Sequence, residues 1–487
     1  MWKDMKFLIL FAGGVLSHIT YFARGEHHLS GAPYLQVFAL VFTALTLVSH
    51  GAGNSIQNAL RQTLNTIFSY LVGVFFSLVV YRMFLHPLRT FPGPIWARLS
   101  GLWLTWRVRR RDGFRQVKCL HNQYGSIVRV GPTDLSIAHP SAVEVVHGFG
   151  TECTKGPWYD GYRPMVSLHT YRSKVDHDRR RRVWSTAFGD RAIRGYEQRL
   201  HKYRKQLLDQ IVAHEGQPMS VTKWFYSYSF DVLGDLAFGK SFNMLETGRE
   251  HWAVTMINEG VQTDAQFQSI GSALASPLRG PSETTAVVLS LVIYELARHP
   301  EHLEKLRQEL APYVSESEEE ILNSDIQHLE HLEAVIMEVL RLYPPVPTQM
   351  QRKTPPAGIS VEGIHIPGNT SIWTPLYAIG RSQSAYQEPD QFIPERWTIY
   401  PEMVRDKTAF APFSTGTFNC IGKPLALLNI RTTIAKVISS FDFALAPGEE
   451  NMLVDDIMTE GFSTTLGDLM IVFKKRQGHQ IGQTTTT

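Results

Sequence analysis

Three apolar runs near the start of the chain, residues 7–22, 34–48 and 67–85, constrain it most, because a water-soluble core has no use for so much uninterrupted apolar surface so close together. The third is of spanning length, roughly 20 residues. The first two are shorter, and the first carries Gly13, Gly14 and His18. A cleaved signal peptide would need a small-residue cleavage pattern after Phe22, but Ala23-Arg24-Gly25-Glu26 follows. Arg82, Arg89, Arg98, Arg107, Arg109, Arg110 and Arg111 crowd the exit of the third run. By the positive-inside rule they place everything downstream in the cytosol. The expectation is a membrane hairpin plus a final span over 1–90, up to three spans in all. It leads into His86-Pro-Leu-Arg-Thr-Phe-Pro92-Gly93-Pro94, whose prolines fix φ and stop helices, making a stiff hinge.

No Ser/Gly linker, charge block or internal repeat divides the chain after Phe91, so 91–475 reads as one large domain and 476–487 as a polar tail. Lys+Arg 48 against Asp+Glu 45 gives a net charge of +3, which excludes a nucleic-acid footprint. Cys119, Cys153 and Cys420 do not make a disulfide framework and suit a reducing compartment. Helical spacing recurs over 141–147, 178–188, 191–212, 221–237, 284–299, 300–310, 329–342 and 424–441, with Gly and Pro between. Short strands are expected around the Gly131-Pro132 turn, at 359–366 and at 371–375. The fold class is mainly α with a minor β-sheet.

One loop carries the chemistry. In Phe413-Ser-Thr-Gly416-Thr-Phe-Asn-Cys420-Ile-Gly422, a cysteine stands at the mouth of a helix opening near Lys423-Pro424. Gly416 and Gly422 let the backbone approach a flat ligand, and the helix N-terminus points N–H groups at the sulfur. Those surroundings are expected to lower the thiol pKa. Taken alone, a single cysteine is more often a small buried apolar residue.

The Phe413-x-x-Gly416-x-x-x-Cys420-x-Gly422 pattern resembles the haem-binding signature of cytochrome P-450 enzymes, and further signatures stand in family order. Glu338-Val-Leu-Arg341 and Phe392-Ile-Pro394-Glu395-Arg396-Trp397 are similar to the segments whose Glu and two Arg form a buried network. Glu283-Thr284 stands where the family has its acid–alcohol pair. The resemblance covers nearly all of 91–475, and the proline hinge is similar to that of membrane-bound fungal members. It implies a haem with an axial thiolate from Cys420, and His177, Arg181 and Arg352 as partners of the haem propionates. It also implies Glu283 and Thr284 as the proton relay of a monooxygenase, using O2 and electrons from NADPH through a separate reductase, since no nicotinamide or flavin fingerprint is present. Val346, Thr348 and Phe462, with segment 159–170, would line a pocket for a lipophilic substrate reached from the endoplasmic reticulum membrane, consistent with fungal secondary metabolism.

Two departures from the family pattern matter. The position two before the cysteine, usually arginine, is Phe418, which throws propionate neutralisation onto His177, Arg181 and Arg352. Between Gly239-Lys-Ser-Phe242 and Glu283 the family has a pair of roof helices and the front half of its long central helix, whereas this chain has only 243–282, with Gly271, Pro277, Gly280 and Pro281 crowded together. Prolines inside a helix cost about 3 kcal/mol or more. Either the pocket is unusually open or the reading frame is a shortened version of a longer gene product. The rival readings are a haem-thiolate isomerase or dehydratase, and a non-catalytic shortened remnant.

Overall fold

The computed structural model describes residues 2–164, 166–256, 279–314, 320–348, 351–461 and 463–476. Helices α1 (Trp2–Ser17), α2 (Gly31–Gly51) and α3 (Ile56–Val80) form the N-terminal part, α1 and α3 each ending in a wider turn, His18–Phe22 and Tyr81–Leu85. All three are long and apolar enough to cross a membrane. The third starts eleven residues earlier than its apolar run because Ser55 caps it, accepting the Asn58 N–H at 3.4 Å. Arg61, Gln62 and Asn65 do not oppose a helix. Helices α1 and α3 run parallel and cross closely, since a Cβ on Gly14 would meet the Tyr70 carbonyl and one on Gly73 the Phe11 carbonyl. Small residues and polar links such as His18 Nδ1 to Ser77 Oγ at 2.9 Å are how membrane helices associate. Ile9, Leu35, Val48 and Phe68 stay exposed on the outer faces, apolar surface suited to a membrane anchor.

Because α1 and α3 are parallel, the link between α1 and α2 lies at the end where the chain enters its large domain, and it docks there. Glu26 accepts two hydrogen bonds from Arg172, at 2.9 and 3.0 Å, and one from Lys353 at 2.5 Å. These cations hold the Glu26 carboxyl down at about 2. His28 meets the buried Asp160 at 3.0 Å, and Arg172 pairs with the same aspartate.

The large domain is built on α4 (Pro140–His147), α5 (Lys174–Ser185), α6 (Asp190–Ala213), α7 (Val221–Phe238), α8 (Arg279–Arg298), α9 (Pro300–Leu310), α10 (Glu330–Leu342) and α11 (Lys423–Ser440). Helix α8 packs against α7, α10 and α11. From Ala286 to Tyr294 it is buried on every side, as a central helix apolar all round must be. Pro281 lies within α8 as described. Most of the segment read as shortened, 257–278, lies outside the described residues.

Strands β1 (Ile127–Arg129), β2 (Asp134–Ile137), β3 (Thr154–Lys155), β4 (Arg352–Lys353) and β5 (Ser371–Trp373) form the main sheet in the order β1-β2-β5-β4-β3, with β2 and β5 parallel and the other pairs antiparallel. The β3–β4 register sets Lys155 directly across from Arg352. A second ladder joins 218–220, 470–475 and 441–445, and hairpins form at 359–361 with 364–366 and at 458–460 with 464–466.

Candidate active site

The 413–422 loop folds back on itself, the Cys420 N–H donating to the Phe413 carbonyl at 2.8 Å. Gly416 has φ +66°, and any Cβ there would strike the carbonyls of His147 and Gly148, so the loop is pressed against the end of α4. Pro424 sits in the first turn of α11, and the main-chain N–H groups of Gly422 and Lys423 bond the Cys420 sulfur. The thiol keeps exposed surface, although enough protein surrounds it for burial to dominate its titration. Burial pushes the thiol above its ordinary range, outweighing the pull of Gly422, Arg181 and Lys423. The expected lowering is therefore not met by the chain alone, because low-dielectric surroundings penalise an isolated thiolate.

Beside this loop lies a cluster of cations around Phe418. Lys155 and Arg352 are 3 % and 2 % exposed and face each other across β3 and β4. Like charges directly opposed on a sheet repel. The Lys155 Nζ lies 4.8 Å and the Arg352 guanidinium carbon 5.1 Å from the Phe418 ring centre, and His177 stands edge-on to the same ring at 4.7 Å. Phe418 thus meets two cations through its π face, which attracts cations. Lys155 donates to the carbonyls of Leu168 and His169, at 3.2 and 2.6 Å. Arg352 donates to the Tyr159 hydroxyl at 2.9 Å and the Gln351 carbonyl at 3.1 Å, but its buried Nε has no partner. Burial, then the charges of Arg352 and Arg181, depress Lys155 to about 7.

The other two cationic residues singled out by sequence are placed differently. The buried His177 pairs through Nδ1 with Asp178 at 3.0 Å, and burial lowers its pKa. Arg181 turns to the cysteine loop, donating to the Asn419 carbonyl at 2.7 Å and to the Asn419 side chain. The structure thus brings Arg352 and His177 together at Phe418, and sets Arg181 against the residue preceding the thiol. Lys155 is the member sequence reasoning missed. A two-residue strand has no periodicity to reveal it, and only the following Gly156-Pro157 marks the turn.

The Glu338 network is complete. Arg341 grips Glu338 with Nε at 2.8 Å and a terminal nitrogen at 2.7 Å, while Arg396 Nε at 2.9 Å and the Trp397 indole N–H at 2.9 Å take the same carboxylate. Its remaining guanidinium N–H groups go to the carbonyls of Gly380, Pro389, Gln391, Gln387 and Glu388. Glu338 and Arg396 are 0 % exposed.

In α8, Glu283 is buried and accepts the Ser463 hydroxyl at 2.9 Å, with Thr284 half-buried next to it in sequence. Ser463 directly precedes the 464–466 strand, which pairs with 458–460. Thr464 fixes the neighbouring segment, donating its N–H to the Pro345 carbonyl at 2.8 Å and its hydroxyl to that of Pro344 at 3.3 Å. Val346 and Thr348 follow, both half-buried. Thr348 donates to Glu460, a half-buried carboxyl raised to about 7 by desolvation and unremarked in the sequence reading. Phe462 lies outside the described residues. In the expected substrate segment 159–170, Tyr159 is buried against Arg352, and Asp160 is held by Arg172, Arg163 and His28.

The cytochrome P-450 family model matches residues 90–281 and 270–466, two pieces that meet within 243–282. The monooxygenase notG' of Aspergillus versicolor is 40 % identical over 97 % of this chain and 98 % of its own length. The tryprostatin B 6-hydroxylase of Aspergillus fumigatus is 39 % identical over 95 % of each, and the monooxygenase lcsK of Purpureocillium lilacinum 34 % identical over 95 % of this chain and 97 % of its own. The first two alignments run over 535 and 532 positions against 487 residues here, so those relatives carry residues that this chain lacks. With the helical fold, the cysteine loop and these matches together, the chain belongs to the cytochrome P-450 family and is a monooxygenase of the fungal secondary-metabolism kind.

Proposed function

We propose that this monooxygenase hydroxylates a lipophilic small molecule at a haem held by Cys420, with electrons from NADPH delivered by a separate reductase on the cytosolic side of the endoplasmic reticulum membrane. The observation that carries the reading is the buried, like-charged Lys155–Arg352 pair beside the cysteine loop. Two such cations need a buried anion, and the propionates of a haem lying on Cys420 supply it. The unpartnered Arg352 Nε and the exposed Cys420 fit the same group. A metal's charge would reverse the burial penalty on the sulfur, since a coordinating thiol is deprotonated outright. Haem-thiolate, when bound, supplies the O2 activation that family membership brings.

The chain's own residues do the rest. In this reading Glu283, which accepts the Ser463 hydroxyl, passes protons to the Thr284 hydroxyl. The 344–348 segment and the 458–466 hairpin, tied through Thr464, give a pocket wall in which Val346 and Thr348 meet substrate. Ile95, Trp96, Leu102 and Trp106 stay exposed just after the third span, which suits a domain resting on lipid. Two relatives are named as tryprostatin B 6-hydroxylases, which supports a small-molecule hydroxylation here. We propose also that the residues this chain lacks relative to them fall in 243–282, and that without that roof the chain couples reductant to product poorly.

The test is the reduced carbon-monoxide difference spectrum of the full chain, followed by product formed per NADPH consumed with a reductase. Cys420→Ala should abolish the thiolate-type spectrum, and Thr284→Ala should keep it but divert electrons to peroxide. A thiolate spectrum in Cys420→Ala overturns the ligand assignment, and an unchanged product ratio in Thr284→Ala removes the hydroxyl from the relay.

A further inference from the structure

On the flank of the large domain, three side chains from three separate elements converge without completing one another. His302 comes from α9, His331 from α10, and Glu395 from the turn Pro394–Trp397. One ligating atom from each lies within 4.8 Å of the others. His302 is 6 % exposed, and its Nδ1 has no hydrogen-bond partner, nor has the buried Nε2 of His331. The Nδ1 of His302 is 3.6 Å from Glu395 Oε1, too far for a hydrogen bond. That separation is close to the edge of a tetrahedron with metal–ligand bonds of about 2.1 Å, which is about 3.4 Å. The two imidazole rings lie 5.3 Å apart.

Two buried ring nitrogens near one carboxylate, with no hydrogen-bond partner of their own, are the unexplained polar groups a native core seldom tolerates. We propose that His302, His331 and Glu395 form a zinc-binding site, with water as the fourth ligand. Two imidazoles and one carboxylate are a zinc ligand set, and imidazole with oxygen ligands suits this borderline cation. Burial lowers the pKa of both histidines, which keeps the rings neutral and their lone pairs available. The frame is already rigid. Glu309 of α9 accepts the main-chain N–H groups of His331 and Leu332, at 2.8 and 2.9 Å, fixing α9 to the start of α10. Lys305 competes for Glu395, its Nζ 2.5 Å from Oε1, but its side chain is 49 % exposed and the carboxylate has a second oxygen. Both contacts use Oε1, so zinc on that oxygen would shift the ammonium to the second oxygen or to solvent.

The consequence reaches the haem side. Glu395 precedes Arg396 of the Glu338 network, so a metal here would pin the turn that delivers that arginine to α10. The second cluster of metal-ligating type among the described residues, Glu26 with His28 and Asp160, is already closed by Arg172 and Lys353 and needs no cation.

The full-length holoprotein in detergent, stripped with a chelator, should take up one equivalent of Zn2+ at micromolar concentration against a competing chromophoric chelator. X-ray absorption at the zinc edge, which the haem iron leaves untouched, should read a nitrogen/oxygen shell with imidazole scattering. His302→Ala and His331→Ala should each weaken uptake by at least about tenfold, and Glu395→Gln likewise, with haem content as the control for folding. Zinc should raise the thermal midpoint of the wild type and leave that of the variants unmoved. A wild-type chain that takes up no zinc under these conditions overturns the proposal. Uptake that is equal in wild type and in any variant that retains haem overturns it as well.

Discussion

Around Glu338, Arg341 and Arg396 share one carboxylate and direct their other N–H groups to main-chain carbonyls. Around Phe418, Lys155 and Arg352 have no carboxylate partner among the described residues, and one buried N–H is left over. Both clusters are buried and both carry excess positive charge. The first is closed by the chain itself and so serves the fold. The second is open, and a folded protein keeps such a group only when something else supplies the anion. Phe418 sharpens the contrast. Where the family pattern has an arginine, this chain offers a ring face that attracts Lys155 and Arg352 without adding a third repelling cation.

The largest effect should come from breaking the closed cluster. Glu338→Ala leaves two buried guanidinium groups unpaired, a loss of about 3–5 kcal/mol or more. Soluble yield and thermal midpoint should collapse whether or not haem is bound. A variant that stays folded, with its haem-free midpoint within a few degrees of wild type, would erase the distinction between the clusters.

Arg352→Met should behave in the opposite way. It removes a like-charged neighbour of Lys155 while keeping most of the volume, so the haem-free midpoint should move little. Haem release into apomyoglobin, however, should quicken by about tenfold to a hundredfold, the scale of a charge-assisted hydrogen bond of about 1.5–3 kcal/mol. If the haem-free chain were destabilised and haem release unchanged, Arg352 would belong with Arg341 as a fold residue.

The contrast also explains how much of the molecule sequence could reveal. Most long helices of the large domain were legible, because eleven or more residues of 3.6 periodicity survive local noise, and α10 and α11 lie within a residue of their expected bounds, but the helix Gly113–Tyr124 was missed. The Glu338, Arg341 and Arg396 set was legible because its members sit in linear motifs. The two-residue strands β3 and β4 were not, and with them went Lys155, whose partner lies nearly two hundred residues away across a ladder. The Cys420 titration was misread for a related reason. A helix N-terminus can be read from Lys423-Pro424, but the protein packed around the sulfur cannot.

A smaller effect should appear as a pH dependence of the haem-free chain. Lys155 falls from its ordinary 10.5 to about 7 in the fold, so between those values the unfolded chain holds a proton that the folded chain has released. Stability therefore rises with pH through that window, and below about pH 7 the folded state carries the full penalty of a buried charge. Unfolding titrations from pH 6.5 to 10 should show the rise in wild type and lose it in Lys155→Met. Haem loading should flatten it too, because an anion beside Lys155 restores the proton. A rise that survives the substitution would assign the titration to another group.

The smallest effect, and the one that tests the comparison most directly, is expected from Phe418→Arg, which puts the family's usual arginine back. In the haem-free chain the change adds a third cation beside Lys155 and Arg352 and removes the ring face they share, so the thermal midpoint should fall by a few degrees, about 1 kcal/mol. In the haem-loaded chain the added guanidinium finds carboxylate, and the loss should shrink or vanish. The useful quantity is the difference between the two forms, read from matched melting curves with and without haem. An equal loss in both would mean that the ring is simply core packing. A loss confined to the haem-free form would mean that this chain has balanced its open cluster with an aromatic face where its relatives' signature uses charge.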